Sequence, residues 1–176
     1  MTPDFVLTTA LDPALRMLQA VGGPPMWDAT RIFLLTVMGQ ESAWTKRRQL
    51  GRTAGTFGPA RGLCQFERNG GVALTMAHKS VEAWGRRFAG NLSIPWDVDT
   101  IYEAIAWNDV LACGFGRLYA YTDPKPLPMT AAEGWDYYLR VWNPGQPRPE
   151  TWGAYWHMAA SAVIRTPLGG PEDMGR

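Results

Sequence analysis

The chain has 176 residues, a formal net charge of +1, 46% hydrophobic residues and 12% aromatic residues. Such a composition excludes a disordered chain, and the near-neutral total excludes a global electrostatic pull toward nucleic acid. The length suits one domain with a substantial core.

At the start, Met1-Thr2-Pro3-Asp4-Phe5 has no basic lead-in and no cleavable apolar core, so no signal peptide is expected and synthesis in a cytoplasm is. Asp12-Pro13 reads as a helix cap followed by a proline at the first helical position, with Leu15, Leu18 and Val21 repeating behind it. Gly22-Gly23-Pro24-Pro25 ends that helix. Asp28 caps the next one, an apolar stretch that starts beside Arg31 and closes on Gln40-Glu41-Ser42. It is far too short to span a bilayer, so no stable membrane insertion is expected.

Residues 45–63 hold five glycines or prolines and no clean period, which predicts loop with room for a short hairpin. Gly70-Gly71 precedes a short helix through Met76, and Ser80 caps another through Phe88. Asp97 or Asp99 opens the longest segment, where Ile101, Ile105, Ala112, Phe115 and Tyr119 share one face. The run Asp123 to Pro128 stops it. Thr130 caps a helix carrying Trp135, Tyr138, Leu139 and Trp142, and Asn143-Pro144-Gly145 breaks that helix. A last helix spans roughly 150–164, and the Gly- and Pro-rich tail 167–176 reads as flexible. The expected architecture is mainly α, one domain over residues 1–166, with one small irregular lobe after the helix that bears Glu41.

Glu41 is the leading chemical candidate. An acid closing a buried helix is poorly solvated, so its pKa rises, as general-acid cleavage of a glycosidic bond requires. The plain alternative is a surface glutamate at a helix end. Trp44, at i+3, could supply an apolar wall beside it or could be ordinary core. Glu67 is a second carboxylate, which the irregular loop could fold back toward the same groove.

Other chemistries find less support. His78 and His157 are the only histidines, with no His-Glu-x-x-His pattern and no paired-cysteine spacing, so neither metal nor cofactor is expected. Cys64 and Cys113 read as buried thiols. A Cys64–His78 nucleophile and base would lack an orienting third residue. Most of the nine tryptophans should be core, with one or two lining a groove. Residues 45–90 carry nine Lys or Arg against Glu67 and Glu82, a local +7, while 97–150 is acidic. Such a lobe could attract an anionic polymer, or it could be balanced elsewhere in the fold.

Taken in order, Gln40-Glu41-Ser42 and Gly62-Leu63-Cys64-Gln65-Phe66-Glu67 resemble the Glu-Ser and Gly-Leu-Met-Gln motifs of soluble lytic transglycosylases and goose-type lysozymes. Cys64 stands where that pattern has Met. Ala120-Tyr121-Thr122 resembles the family's Ala-Tyr-Asn, with Thr122 a departure. The phrases Lys46-Arg47-Arg48-Gln49, Pro59-Ala60-Arg61-Gly62 and Gly134-Trp135-Asp136-Tyr137-Tyr138 are similar to those of phage-encoded muralytic proteins.

The resemblance implies a lysozyme-like fold and a monomer acting on peptidoglycan glycan strands, not on nucleic acid. It makes Glu41 the acid that protonates the MurNAc-β-1,4-GlcNAc oxygen and Glu67 a holder of the attacking water. Ser42, Gly62, Gln65 and Tyr121 become substrate contacts, with Gln65 at the N-acetyl group and Tyr121 positioning Glu41 or substrate. Goose-type lysozymes have a further acid between the two motifs, and residues 42–66 here contain none. The substrate's own N-acetyl group could then assist, giving a 1,6-anhydro product. A phage endolysin would reach the wall through a holin-type lesion, or by virion delivery. The rival class is a non-catalytic virion or wall-binding protein that keeps the fold.

Overall fold

Proline and a buried arginine explain how the N-terminal helix is built. The computed structural model describes residues 1–51 and 53–168. Helix α1 (Pro3–Val6) is capped by the Thr2 hydroxyl, and it continues through a π turn at Leu7–Leu11 into α2 (Asp12–Ala20). Asp12 therefore does not open a helix, contrary to the sequence expectation. Pro13 would clash with the carbonyl four residues back in an unbroken α-helix. The wider turn, in which the Asp12 N–H reaches the Leu7 carbonyl, lies just ahead of it. The Asp12 carboxylate is spent elsewhere, on Arg31.

Helix α3 (Asp28–Ser42) is the central element, and nearly all its residues from Thr30 to Ser42 are buried. Its N-cap is Trp27, and Asp28 lies inside the first turn with its carboxylate on Arg31 at 2.9 Å. The fully buried Arg31 guanidinium also grips Asp12 through two bonds of 2.8 and 2.7 Å and donates to the Thr166 carbonyl at 2.7 Å. One side chain thus ties α2, α3 and the end of α9 (Pro149–Arg165) together. The pairing of α3 with α9 requires Gly39, since a Cβ there would lie 2.7 Å from the Tyr155 ring and 2.8 Å from Trp44.

After α3 the chain forms a two-stranded antiparallel hairpin, β1 (Arg48–Leu50) with β2 (Phe57–Arg61), pairing Arg48 with Arg61 and Leu50 with Phe57. A π turn at Arg68–Val72 leads into α4 (Ala73–Ala77), and α5 (Glu82–Asn91) follows. The long segment expected from 97 onward is two helices, α6 (Val98–Ala104) and α7 (Asp109–Tyr121). Each has its own side-chain cap: Asp97 accepts from the Thr100 N–H, and Asn108 accepts from the Leu111 N–H. The shared apolar face continues across the break because Ile101, Ile105, Ala112 and Phe115 are all fully buried. Helix α8 (Ala131–Val141) starts with a reciprocal capping box between Thr130 and Glu133, as the sequence indicated.

The fold is thus mainly α with a small hairpin lobe. No helix among the described residues is long and apolar enough to cross a membrane. Of the tail 167–176, residues 169–176 lie outside the described residues.

Removing one partner of a buried ion pair leaves an uncompensated charge, at a cost of about 3–5 kcal/mol. Asp12→Ala should lose stability on that scale in urea unfolding, whereas the exposed pair Arg86–Glu82 should contribute less than about 1 kcal/mol when Glu82 is replaced by Gln.

Candidate active site

Glu41 occupies the last turn of α3, where it and Gln40 line an open groove. The groove has a volume of about 810 Å³. The hairpin contributes Gln49, Leu50 and Ala60 to it, the following loop contributes Gln65, Phe66 and Glu67, and the segment after α8 contributes Asn143 to Gln146 and Arg148. Beside Glu41 the wall is aromatic. Phe66 stacks on Trp142 at 6.0 Å, and Tyr119 meets both rings edge-on at 5.2 and 5.1 Å.

Three physical influences set the proton affinity of Glu41. Burial raises its pKa, and this effect dominates. Opposing it, the Tyr138 hydroxyl donates to Glu41 Oε1 at 2.6 Å, and the Arg148 charge lies close enough to favour the carboxylate. The net direction is upward from the ordinary value. Tyr138 itself is held by stacking on Trp152 at 5.1 Å and by Trp135 at 5.5 Å. Arg148 is held by a reciprocal clasp with Gln40: its guanidinium donates to the Gln40 carbonyl, and Gln40 Nε2 donates to the Arg148 carbonyl at 3.0 Å. Thr151 completes the clasp by donating to Gln40 Oε1 at 2.8 Å.

The tight turn at Gly62–Gln65 shapes the opposite side. Gly62 has φ +69 and a Cβ there would meet the Ile105 carbonyl at 2.8 Å, so only glycine fits. Gln65 also adopts a left-handed conformation, φ +50, which is strained for a residue with a side chain. The paired backbone bonds between Arg61 and Phe66, 2.9 and 2.8 Å, hold the turn in that shape. Gln65 Nε2 donates to the Gly62 and Lys46 carbonyls at 2.7 and 3.1 Å, which leaves its carbonyl oxygen available toward the groove.

The structure thus brings Glu41, Gln65 and Glu67 to one groove. It does not bring the other expected contacts there. Ser42 is buried and its hydroxyl donates to the Met38 carbonyl at 2.7 Å, so it is no substrate ligand. Gly62 is buried in the turn and acts on the backbone alone. Tyr121 points out of the groove lining, packing edge-on against Trp84 at 5.2 Å and under Arg117. The tyrosines at the site are Tyr119, two residues earlier on α7, and Tyr138. Trp44 is also not beside Glu41. The helix ends in left-handed Ala43, φ +49, and the indole folds back to donate to the Leu35 carbonyl at 2.8 Å, so it is core.

Sequence reasoning passed over Tyr138, Trp142, Arg148 and Lys46. The helical phase of α8 placed Tyr138 and Trp142 on its buried face, and nothing in that phase separates a core ring from one that also reaches a carboxylate. The signal for Arg148 was weaker still, a charge in a proline-rich loop.

The basic lobe is partly balanced inside the fold. Arg47 pairs with Asp109, Arg48 with Glu103 and Arg68 with Asp99, so the acidic stretch neutralises three of the nine cations, while Arg86 pairs with Glu82 inside the lobe itself. Lys46 and Arg148 are the cations among the described groove residues. The cysteine alternative fails because Cys64 is buried, with its thiol pushed up by desolvation, while His78 is exposed against Ser80 at 2.8 Å. No group of three or more metal-ligating side chains occurs among the described residues.

Comparison of the chain with protein-family models, with characterised proteins and with solved structures finds no match.

A carboxyl group whose folded pKa is raised holds its proton in the native state after the unfolded chain has released it. Native stability is therefore lost as pH rises from the ordinary value of 4.5 through the raised one. Glu41→Gln should match the wild type in melting temperature well below that value. It should melt progressively higher than wild type as pH rises from that value through the raised one, and the difference should level off beyond it.

Proposed function

We propose that the protein is a peptidoglycan-cleaving glycosidase of the phage endolysin type, with Glu41 as general acid at the MurNAc-β-1,4-GlcNAc bond. The observation that carries this reading is a single partly buried carboxyl group, with its pKa raised, fixed by a tyrosine hydroxyl inside an open groove. The groove chemistry agrees with a sugar polymer. Carboxamides of Gln49, Gln65, Asn143 and Gln146 offer hydrogen bonds to hydroxyl and acetamido groups, and Phe66, Tyr119 and Trp142 offer apolar faces. The ordered resemblance of the Glu41 and Gly62–Glu67 segments to lytic transglycosylases and goose-type lysozymes points the same way.

In the first step the Glu41 proton passes to the glycosidic oxygen as the C1–O bond breaks. Two routes complete the reaction. In one, a water held by Glu67 attacks C1, gives its proton to the Glu67 carboxylate and leaves a reducing end. In the other, the substrate's acetamido oxygen attacks C1. The sugar's own 6-hydroxyl then displaces it, giving its proton to the Glu41 carboxylate and closing a 1,6-anhydro ring. Glu41 and Glu67 are the carboxylates among the described groove residues, so the second route needs no further protein acid. Reaching the wall without a membrane-spanning helix would rely on a lesion made by another protein, or on delivery with a virion.

Permeabilised Gram-negative cells should lose turbidity with the wild type and show at least a hundredfold slower clearing with Glu41→Gln, the usual scale for losing a general acid. Equal clearing by both proteins would sink the assignment of Glu41, and clearing by neither would favour a non-catalytic wall-binding role. Mass spectrometry of the released muropeptides reads the route directly, as anhydro or reducing ends. Tyr138→Phe removes a bond that favours the carboxylate, so Glu41 should hold its proton to higher pH. The alkaline limb of the pH–rate profile should move up; an unmoved limb means that Tyr138 does not tune the acid.

A further inference from the structure

Several large apolar side chains lie on the surface, and three of them adjoin the groove through the hairpin. Leu50 is 73% exposed and lines the groove. Its cross-strand partner Phe57 is 57% exposed, and directly opposed residues in an antiparallel pair share one face. The Arg48 guanidinium lies over the Phe57 ring at 5.4 Å and over the Trp107 ring at 4.7 Å. Trp107, in the turn between α6 and α7, is 73% exposed. Leu50, Phe57, Arg48 and Trp107 thus form a continuous shelf that leads outward from the groove.

Two exposed aromatic rings in line with an exposed leucine call for a partner. The charge at the shelf identifies it. Arg48 pairs with Glu103 at 3.2 Å, and Arg61, its cross-strand partner, donates to the Gly58 and Ala60 carbonyls with its guanidinium over the Tyr102 ring. An aromatic surface whose two guanidinium groups are already engaged offers little to a phosphate backbone or to anionic lipid, both of which are held by free cations. It suits the apolar face of a sugar ring, on which an open indole face can stack. A glycan strand is also long enough to run out of the groove along the hairpin.

We propose that Phe57 and Trp107, bridged by Arg48, form an outer saccharide subsite that holds the glycan strand beyond the cleavage groove. The inference rests on the glycosidase reading for its ligand but not for its measurement, since binding is read without turnover. The Arg48–Glu103 pair keeps the two rings in register. Trp107 carries the larger share, because one of its faces is covered by Arg48 and the remainder is open to solvent.

The test uses the full chain in a Glu41→Gln background, so that glycan stays intact. Co-sedimentation with purified peptidoglycan sacculi should weaken about tenfold in Trp107→Ala, the scale of one lost aromatic contact, and less in Phe57→Ser. Both side chains are largely exposed, so melting temperatures should stay within a few degrees of the parent and exclude misfolding. With Glu41 restored, Trp107→Ala should slow the release of fragments from long strands while leaving the cleavage of oligosaccharides short enough to fit the groove unchanged. Unweakened sacculus binding in both variants overturns the subsite. So does a Trp107-dependent loss confined to phosphatidylglycerol vesicles, or a Trp107-dependent dimer in sedimentation, because the occupant would then be a bilayer or a second copy. Failure of the catalytic assignment would show instead as clearing that is indifferent to Glu41, with sacculus binding still dependent on Trp107.

Discussion

The buried Arg31 guanidinium is the constraint on which the position of the catalytic candidate depends. It lies ten residues before Glu41 on one helix, about 15 Å along the axis. Its bonds to Asp12, Asp28 and the Thr166 carbonyl join the first helical segment, the central helix and the end of the last one. Burial by itself would lower its affinity for a proton, but the hydrogen bonds and charges of Asp12 and Asp28 outweigh that, and the guanidinium holds its charge firmly. A fully apolar replacement could be as stable, since desolvating an ion pair offsets most of its attraction. What the ionic arrangement adds is register. Its several directional bonds fix how far α3 is advanced against its neighbours, and hence where its last turn emerges into the groove.

At that last turn the same physics works in the opposite sense. Arg31 is buried with its countercharges, whereas Glu41 is partly buried beside a neutral hydroxyl and a cation held in a separate clasp. Desolvation therefore wins at Glu41 and loses at Arg31. Two supports keep the balance from tipping too far. Tyr138 comes from α8, stacked on Trp152 of α9, and Arg148 comes from the loop that enters α9. Because α9 packs on α3 through Gly39, both groups are referred to the helix that carries the acid. The proton affinity of one carboxyl group thus depends on the packing of three helices.

Much of this was legible in the sequence, for identifiable reasons. The helix ending at Ser42, the hairpin lobe, the Thr130 cap and the Asn143-Pro144-Gly145 break are written in local chemistry that tertiary packing does not override. Two misreadings at caps share a partner: Asp12 and Asp28 look like caps, but a buried arginine claims both carboxylates, three residues from Asp28 and nineteen from Asp12, where no local pattern announces it. The split at Asn108 was hidden because both halves keep the same apolar phase. Glu41, Gln65 and Glu67 converge on the groove as expected. Ser42, Gly62 and Tyr121 do not, since adjacency to a functional residue on a helix or in a tight turn points a side chain elsewhere. Tyr121 lies two positions past Tyr119, and about 200° of helical rotation separates the groove face from the one that packs on Trp84.

Charge placement sharpens how such a site would meet a polymer. Had the arginines of the 45–90 segment been free, long-range attraction would have dominated approach and fallen steeply with salt. Instead Asp99, Glu103 and Asp109, from helices α6 and α7, reach back to Arg68, Arg48 and Arg47. These pairs also hold the hairpin lobe against the helical body, so three of the charges that might have served steering serve architecture. Recognition then falls to short-range contacts: amides and aromatic faces inside the groove, with Lys46 and Arg148 as its local cations. A surface of that kind tolerates salt and gains affinity by length of contact, which suits a ligand presented as an insoluble strand better than one that diffuses to the site.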